Sequence, residues 1–147
     1  MVNSLKQLFE RDLSLLANEI ESYNKESDLW LLAEGINNSG GNLCLHLTGN
    51  LQFFIGATLG KSGYIRDRKA EFESKDIPVA ILLKVIKTTK LVISDSLDSL
   101  TAEQLASNYP IEVFGKPMST TFFLIHLSTH LSYHLGQINY HRRLLSN

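Results

Sequence analysis

His126, His130 and His134 recur every four residues in one apolar run near the C-terminus, and His46 lies in an earlier apolar run. Four residues advance an α-helix by about 400°, so successive imidazoles stand one turn apart and only about 40° around the axis. Two such rings can grip one metal ion. A third from another helix would complete a three-histidine set with open positions, where a bound metal polarises a substrate or activates water. On a wheel at about 100° per residue with His126 at zero, His130 falls near 40° and His134 near 80°. The apolar Phe123, Leu127, Leu131, Leu135 and Ile138 span roughly 60° to 180°. His134 is therefore expected to face inward, His130 to border it and His126 to sit at the edge, which makes His130 and His134 the better pair. His141 returns to a similar heading but lies roughly 10 Å further along the axis than His134, too far to share an ion with His130. His46, about 100° or less from Leu43, Leu47 and Phe54 on its own helix, borders a buried face and can supply the third ring.

Three imidazoles suit zinc, nickel or ferrous iron. Such rings are usually oriented through their second nitrogen. Asn50, four residues after His46, and Gln137, three after His134, lie on the right faces to do so, and His126 could shape the pocket from one turn away. The plain alternative is that histidines four apart are half-buried residues without a ligand. On that view His126 and His141 are solvated edge residues. Cys44, about 160° around the wheel from His46, reads as a buried core thiol and not a fourth ligand. Trp30 and its neighbouring leucines read as a hydrophobic plug.

Four helical segments must hold these residues. The first runs from about Asn3 to Tyr23 through Leu5, Leu8, Leu13, Leu16 and Ile20. Asn24 to Gly41 is mostly connection, broken by Asn37, Asn38, Ser39, Gly40 and Gly41. The second helix spans about Asn42 to Leu59, with Gly60 and Gly63 as stops. A charged connection follows, carrying Arg66-Asp67-Arg68 and Glu71-Phe72. The third helix opens at Pro78 and continues to about Leu100 through Ile81, Val85, Thr88 and Val92. Thr101 to Met118 is a loop in which Ile111-Glu112-Val113 could extend into a short strand pair. The fourth helix starts near Ser119, a good N-cap, and runs to about Ser146. Four amphipathic segments with nothing strongly strand-like between them predict an all-α four-helix bundle, whose metal sites are built from inward side chains of neighbouring helices.

At 147 residues the chain suits a single domain, 1–147, with one core. Its 14 Lys plus Arg against 15 Asp plus Glu give a net charge of -1, which disfavours nucleic-acid or anionic-lipid binding. No apolar run approaches the roughly 20 residues of a membrane span, and the N-terminal residues do not read as a signal peptide. With one cysteine there is no intrachain disulfide, and a cytoplasmic setting is the expectation.

His130-x-x-x-His134-x-Gly136-Gln137, together with Gly41-Asn42-Leu43-Cys44-Leu45-His46-Leu47 and the later Arg66-Asp67-Arg68 and Glu71-Phe72, resembles the DinB/YfiT-like superfamily over nearly the whole chain. The closest likeness is to an uncharacterised DinB-like subgroup. The resemblance implies an antiparallel four-helix bundle with long connections, often a homodimer, holding a divalent metal on His46, His130 and His134. Zinc or nickel is typical. Relatives include thiol-dependent S-transferases using bacillithiol, mycothiol-dependent isomerases and proposed hydrolases, so a low-molecular-weight thiol and a small-molecule substrate are implied. No motif fixes that substrate. Arg66, Asp67, Arg68 and Glu71 could recognise an anionic group, although such a cluster more commonly ties down a connection through ion pairs.

Two functions follow as expectations. In the first, the open three-nitrogen set serves a metal-dependent transferase or hydrolase, since a purely structural zinc usually has four protein ligands. In the second, the chain is a non-catalytic dimeric ligand-binding or stress-response bundle with incidental metal.

Overall fold

The computed structural model describes residues 1–145, which are mostly helical (69%) and contain six α-helices and no strand. In chain order these are α1 (Val2–Glu21), α2 (Gly40–Leu51), α3 (Arg68–Glu73), α4 (Val79–Asp98), α5 (Ala102–Ala106) and α6 (Thr120–Leu145). A 3₁₀ turn, Glu26–Trp30, precedes α2, and a π-helical segment, Gln52–Ala57, extends it. The expected final residue of the last helix, Ser146, lies outside the described residues.

The long helices form because each carries an apolar stripe that the others cover. Around one core, α1 packs against α4 and α6, and α2 packs against α6 and α4. In α1 the buried apolar positions are Leu5, Phe9, Leu13, Leu16 and Ile20. Leu8, expected inside, turns outward because Phe9 holds the inward position one residue on and buries the larger ring. The stripe of α4 is displaced in the same way. Leu82, Ile86, Ile93 and Leu97 are buried, while Ile81 and Thr88 are exposed and Val85 and Val92 only half-buried. That segment offers two adjacent apolar stripes, and the one with the longer side chains takes the core. Helix α6 places Phe123, Leu127, Leu131, Leu135 and Ile138 inside, as the wheel predicts.

The connections carry more structure than their composition suggests. The charged stretch before Pro78 folds into α3, capped by the Asp67 carboxylate on the Ala70 amide (2.9 Å). The loop after α4 contains α5, closed by a reciprocal Thr101–Gln104 capping box. The expected strand pair near Ile111 is reduced to a single bridge between Asn108 and Ser119. Ser119 caps α6 by accepting from the Phe122 amide at 3.1 Å.

Candidate metal centre

Helix α2 begins when Ser39 accepts the Asn42 amide (3.2 Å). Asn42 then does a second task. Its side-chain amide donates to the backbone carbonyls of Glu71 (3.0 Å) and Ser74 (2.8 Å), fastening the end of α3 alongside α2. Gly49 lets α3 approach, because a Cβ there would lie 2.3 Å from Glu71 Oε2 and 2.8 Å from its Cδ. The Glu71 carboxylate thereby reaches His46.

His46 Nδ1 donates to Glu71 Oε1 at 3.1 Å, and Arg66 grips the same carboxylate through two bonds of 2.8 Å. Burial alone would raise the Glu71 carboxyl, but its hydrogen bonds with Arg66 and His46, and the Arg66 charge, hold it below the usual carboxylate range. Phe72 covers His46, ring to ring at 4.9 Å. On α6, His134 Nδ1 donates to Gln137 Oε1 at 2.6 Å.

These bonds fix the tautomers of the two outer rings. A carboxylate only accepts, so His46 carries its proton on Nδ1 and presents a lone pair at Nε2; the Gln137 carbonyl imposes the same on His134. Both lone pairs point at His130 Nε2, at 3.3 Å from His46 and 3.1 Å from His134. A single imidazole proton cannot satisfy both. One cation can. In a tetrahedral site with nitrogens about 2.0 to 2.1 Å from zinc, ligand nitrogens stand roughly 3.3 Å apart, which matches both separations. One ligand atom from each of the three residues lies within 4.8 Å of the others, so the cluster could hold a metal ion. Burial, then the neighbouring histidines, pushes His130 down to about 4, so it is neutral near pH 7. His134 is lowered too, first by burial and against the Gln137 bond.

His126 is not one of the three converging rings but stacks on one of them, His130 (6.1 Å, 30°), as well as on Phe123 (5.8 Å, 14°), and Phe114 meets it edge-on (4.9 Å). Asn50 is buried but makes no hydrogen bond to the three rings among the described residues, and its Oδ1 has no partner there. His141 is not a solvated edge residue: it is only 7% exposed, bonded to the Tyr23 hydroxyl (2.6 Å) and the Leu31 carbonyl (2.9 Å). Its partners come from segments more than a hundred residues away, which a helical wheel cannot show. Cys44 is buried, and burial pushes its thiol up to about 12. Trp30 is buried against Gly41. Arg66 is spent on Glu71, Asp67 on capping α3, and Arg68 lies over the Phe72 ring at 5.1 Å, so the segment ties its connection down. The Glu71–His46 bond had no local signal in the sequence; its only trace was a carboxylate five residues after Arg66.

The fold and site together define a helical protein with a three-histidine cluster shared between two helices. Residues 1–147 match the family described as Protein of unknown function (DUF1572), and the chain belongs to that family. No curated protein matches the chain.

Proposed function

We propose that this protein is a divalent-metal-binding enzyme of DinB-like type, with thiol S-transferase or hydrolase-type chemistry at an open site formed by His46, His130 and His134. The observation that carries the reading is the convergence of three Nε2 atoms whose outer rings are already committed at Nδ1. The family's place in the DinB/YfiT-like clan supports it. So does the ring of contacts α1–α4–α2–α6, which fits an antiparallel four-helix bundle. Zinc or nickel suits three neutral imidazoles best, with ferrous iron a further candidate.

The chemistry such an ion supplies is Lewis acidity, acidifying a thiol or a water molecule at the open side of the cluster at neutral pH. The protein's own part is positional. Glu71 orients His46 and strengthens it as a donor, Arg66 and Asn42 hold Glu71 in place, and Gln137 orients His134. Phe72 keeps water off one face of His46.

A second reading, a non-catalytic bundle that binds a ligand with incidental metal, is favoured by one feature: the carboxylate at the rings, Glu71, is already consumed by Arg66 and offers no free proton donor. Elemental analysis of untagged protein separates the possibilities in two stages. We expect about one divalent ion per chain, lost in His130→Ala and His46→Ala variants that keep wild-type helicity. Wild-type protein without metal, or variants that retain it, would overturn the metal site. Turnover of thiol plus electrophile, or of an ester, by loaded wild type and not by His46→Ala then distinguishes enzyme from bundle.

A further inference from the structure

Next to the histidine cluster, the segment between the 3₁₀ turn and α2 arches over the last turns of α6 and borders an open cavity of about 480 Å³. That volume suits a small organic molecule. Gln137, whose carbonyl holds His134 Nδ1, lines it, so the Gln137 side chain and the His134 ring stand between the cavity and the converging Nε2 atoms. The remaining lining mixes aliphatic and polar groups: Ile36, Leu43 and Leu144 beside Asn38, the Tyr140 ring and His141. Among the described residues lining it, the single formal charge is the Glu34 carboxylate, and no Lys or Arg contributes.

The arch is fastened at both ends. At one end the Leu31 carbonyl, which can only accept, takes the proton of His141 Nε2, and His141 Nδ1 accepts from Tyr23. At the other end Ser39 caps α2. Between them Gly35 turns the chain at φ +81, which a side chain would strain. The wall therefore stands ready before any ligand arrives, and little ordering cost is left for binding.

We propose that this cavity is the second contact point of the substrate used at the histidine cluster, and that it accepts an uncharged, largely aliphatic chain whose reactive end lies at the three rings, with Gln137 at the junction. The inference rests on the metal-site reading for the reactive end and on the cavity alone for the chain. Aliphatic walls reward each methylene, the amides offer hydrogen bonds to a neutral polar group, and Glu34 opposes an anion. The basic side chains Arg66 and Arg68 belong to the other side of the cluster, next to His46 and Phe72.

Calorimetric titration of zinc-loaded protein with n-alkyl hydroxamates tests this. The hydroxamate reports the ion and the tail reports the cavity. Binding should tighten about threefold per methylene, on the order of 50- to 100-fold from acetohydroxamate to hexanohydroxamate. A tail of equal length ending in carboxylate should lose most of that gain, and so should Leu144→Glu, an exposed position whose change leaves the core intact. Acetohydroxamate binding with no dependence on tail length would overturn the cavity assignment and leave the metal site standing. Absence of acetohydroxamate binding would instead remove the metal site. In that case metal-free protein titrated with hexanamide decides the cavity: methyl resonances of Ile36 and Leu144 should shift with hexanamide and not with acetamide, and no shift overturns the proposal.

Discussion

Glu71 is a carboxylate whose neighbours leave it one task, to present an acceptor to His46. Replacing it by Gln keeps the shape and removes the charge, so two effects should appear together. Metal affinity should fall roughly 10- to 100-fold, the usual cost of losing a partner behind a ligating imidazole, as read by competition with a chelator. Stability should also drop by about 3 kcal/mol in urea unfolding, because Arg66 is left buried without its counter-ion. Unchanged affinity would remove Glu71 from the site. His130 supplies a test of a different kind. Its folded pKa lies near 4 against an ordinary 6.5, so between those values the unfolded chain takes up a proton that the folded protein refuses. The stability that neutral His130 contributes is complete above pH 6.5 and lost as pH falls towards 4. His134 shifts in the same direction. Metal-free protein should accordingly show a urea midpoint that declines across that window, with a shallower decline in His130→Gln; equal slopes would contradict the burial assigned to His130. The histidines were legible because a four-residue repeat on a helix is a local geometric fact. Glu71 was not, since its role depends on where a long connection lands.

At the level of elements, the site exists because α3 is pressed against α2 at a glycine. Adding one methyl at Gly49 sets a carbon 2.3 Å from a Glu71 oxygen that Arg66 and His46 both hold, so the side chain cannot simply swing away. Gly49→Ala should cost about 1 to 3 kcal/mol of stability, as overpacking does, and weaken metal uptake at least tenfold with α-helical content unchanged. A second change, Glu71→Asp, shortens the offending carboxylate. If the clash is the cause, Gly49→Ala with Glu71→Asp should recover the stability that Gly49→Ala loses; no recovery would place the effect elsewhere in α2. Gly49 carried no signal in the sequence beyond its residue type, because what it makes room for lies 22 positions later. The helices themselves were readable from periodicity, and their errors have one cause. In α1 and α4 two apolar stripes run side by side, and only packing against partners decides that Phe9 enters and Leu8 leaves, or that Leu82 and Ile86 displace Ile81 and Val85.

For the whole molecule the open question is what covers the outer face of α6. From Thr120 to His141 this helix contains no Asp, Glu, Lys or Arg, so the side turned away from the core is as free of formal charge as the side within it. Phe122, Ile125, Tyr133 and Tyr140 project there, Ile125 at 47% and Tyr133 at 65% exposure. With Thr129 and Gly136 between them they recur at intervals of three or four, the spacing of a helix seam made for another helix. We propose a second copy of the chain as its cover, since a charge-free face would meet its own image without repulsion and a two-fold contact is self-complementary. The reading also bears on the site. Tyr133 receives a 3.5 Å bond from Gln137, which orients His134, so a partner lying on Tyr133 would shelter that arrangement. Sedimentation equilibrium should therefore give about twice the 16.5 kDa chain mass. Ile125→Lys, which places two ammonium groups at the proposed seam without touching the core, should halve that mass at micromolar concentration while circular dichroism stays unchanged. Wild-type protein that sediments as a single chain at tens of micromolar would leave this face to a different partner.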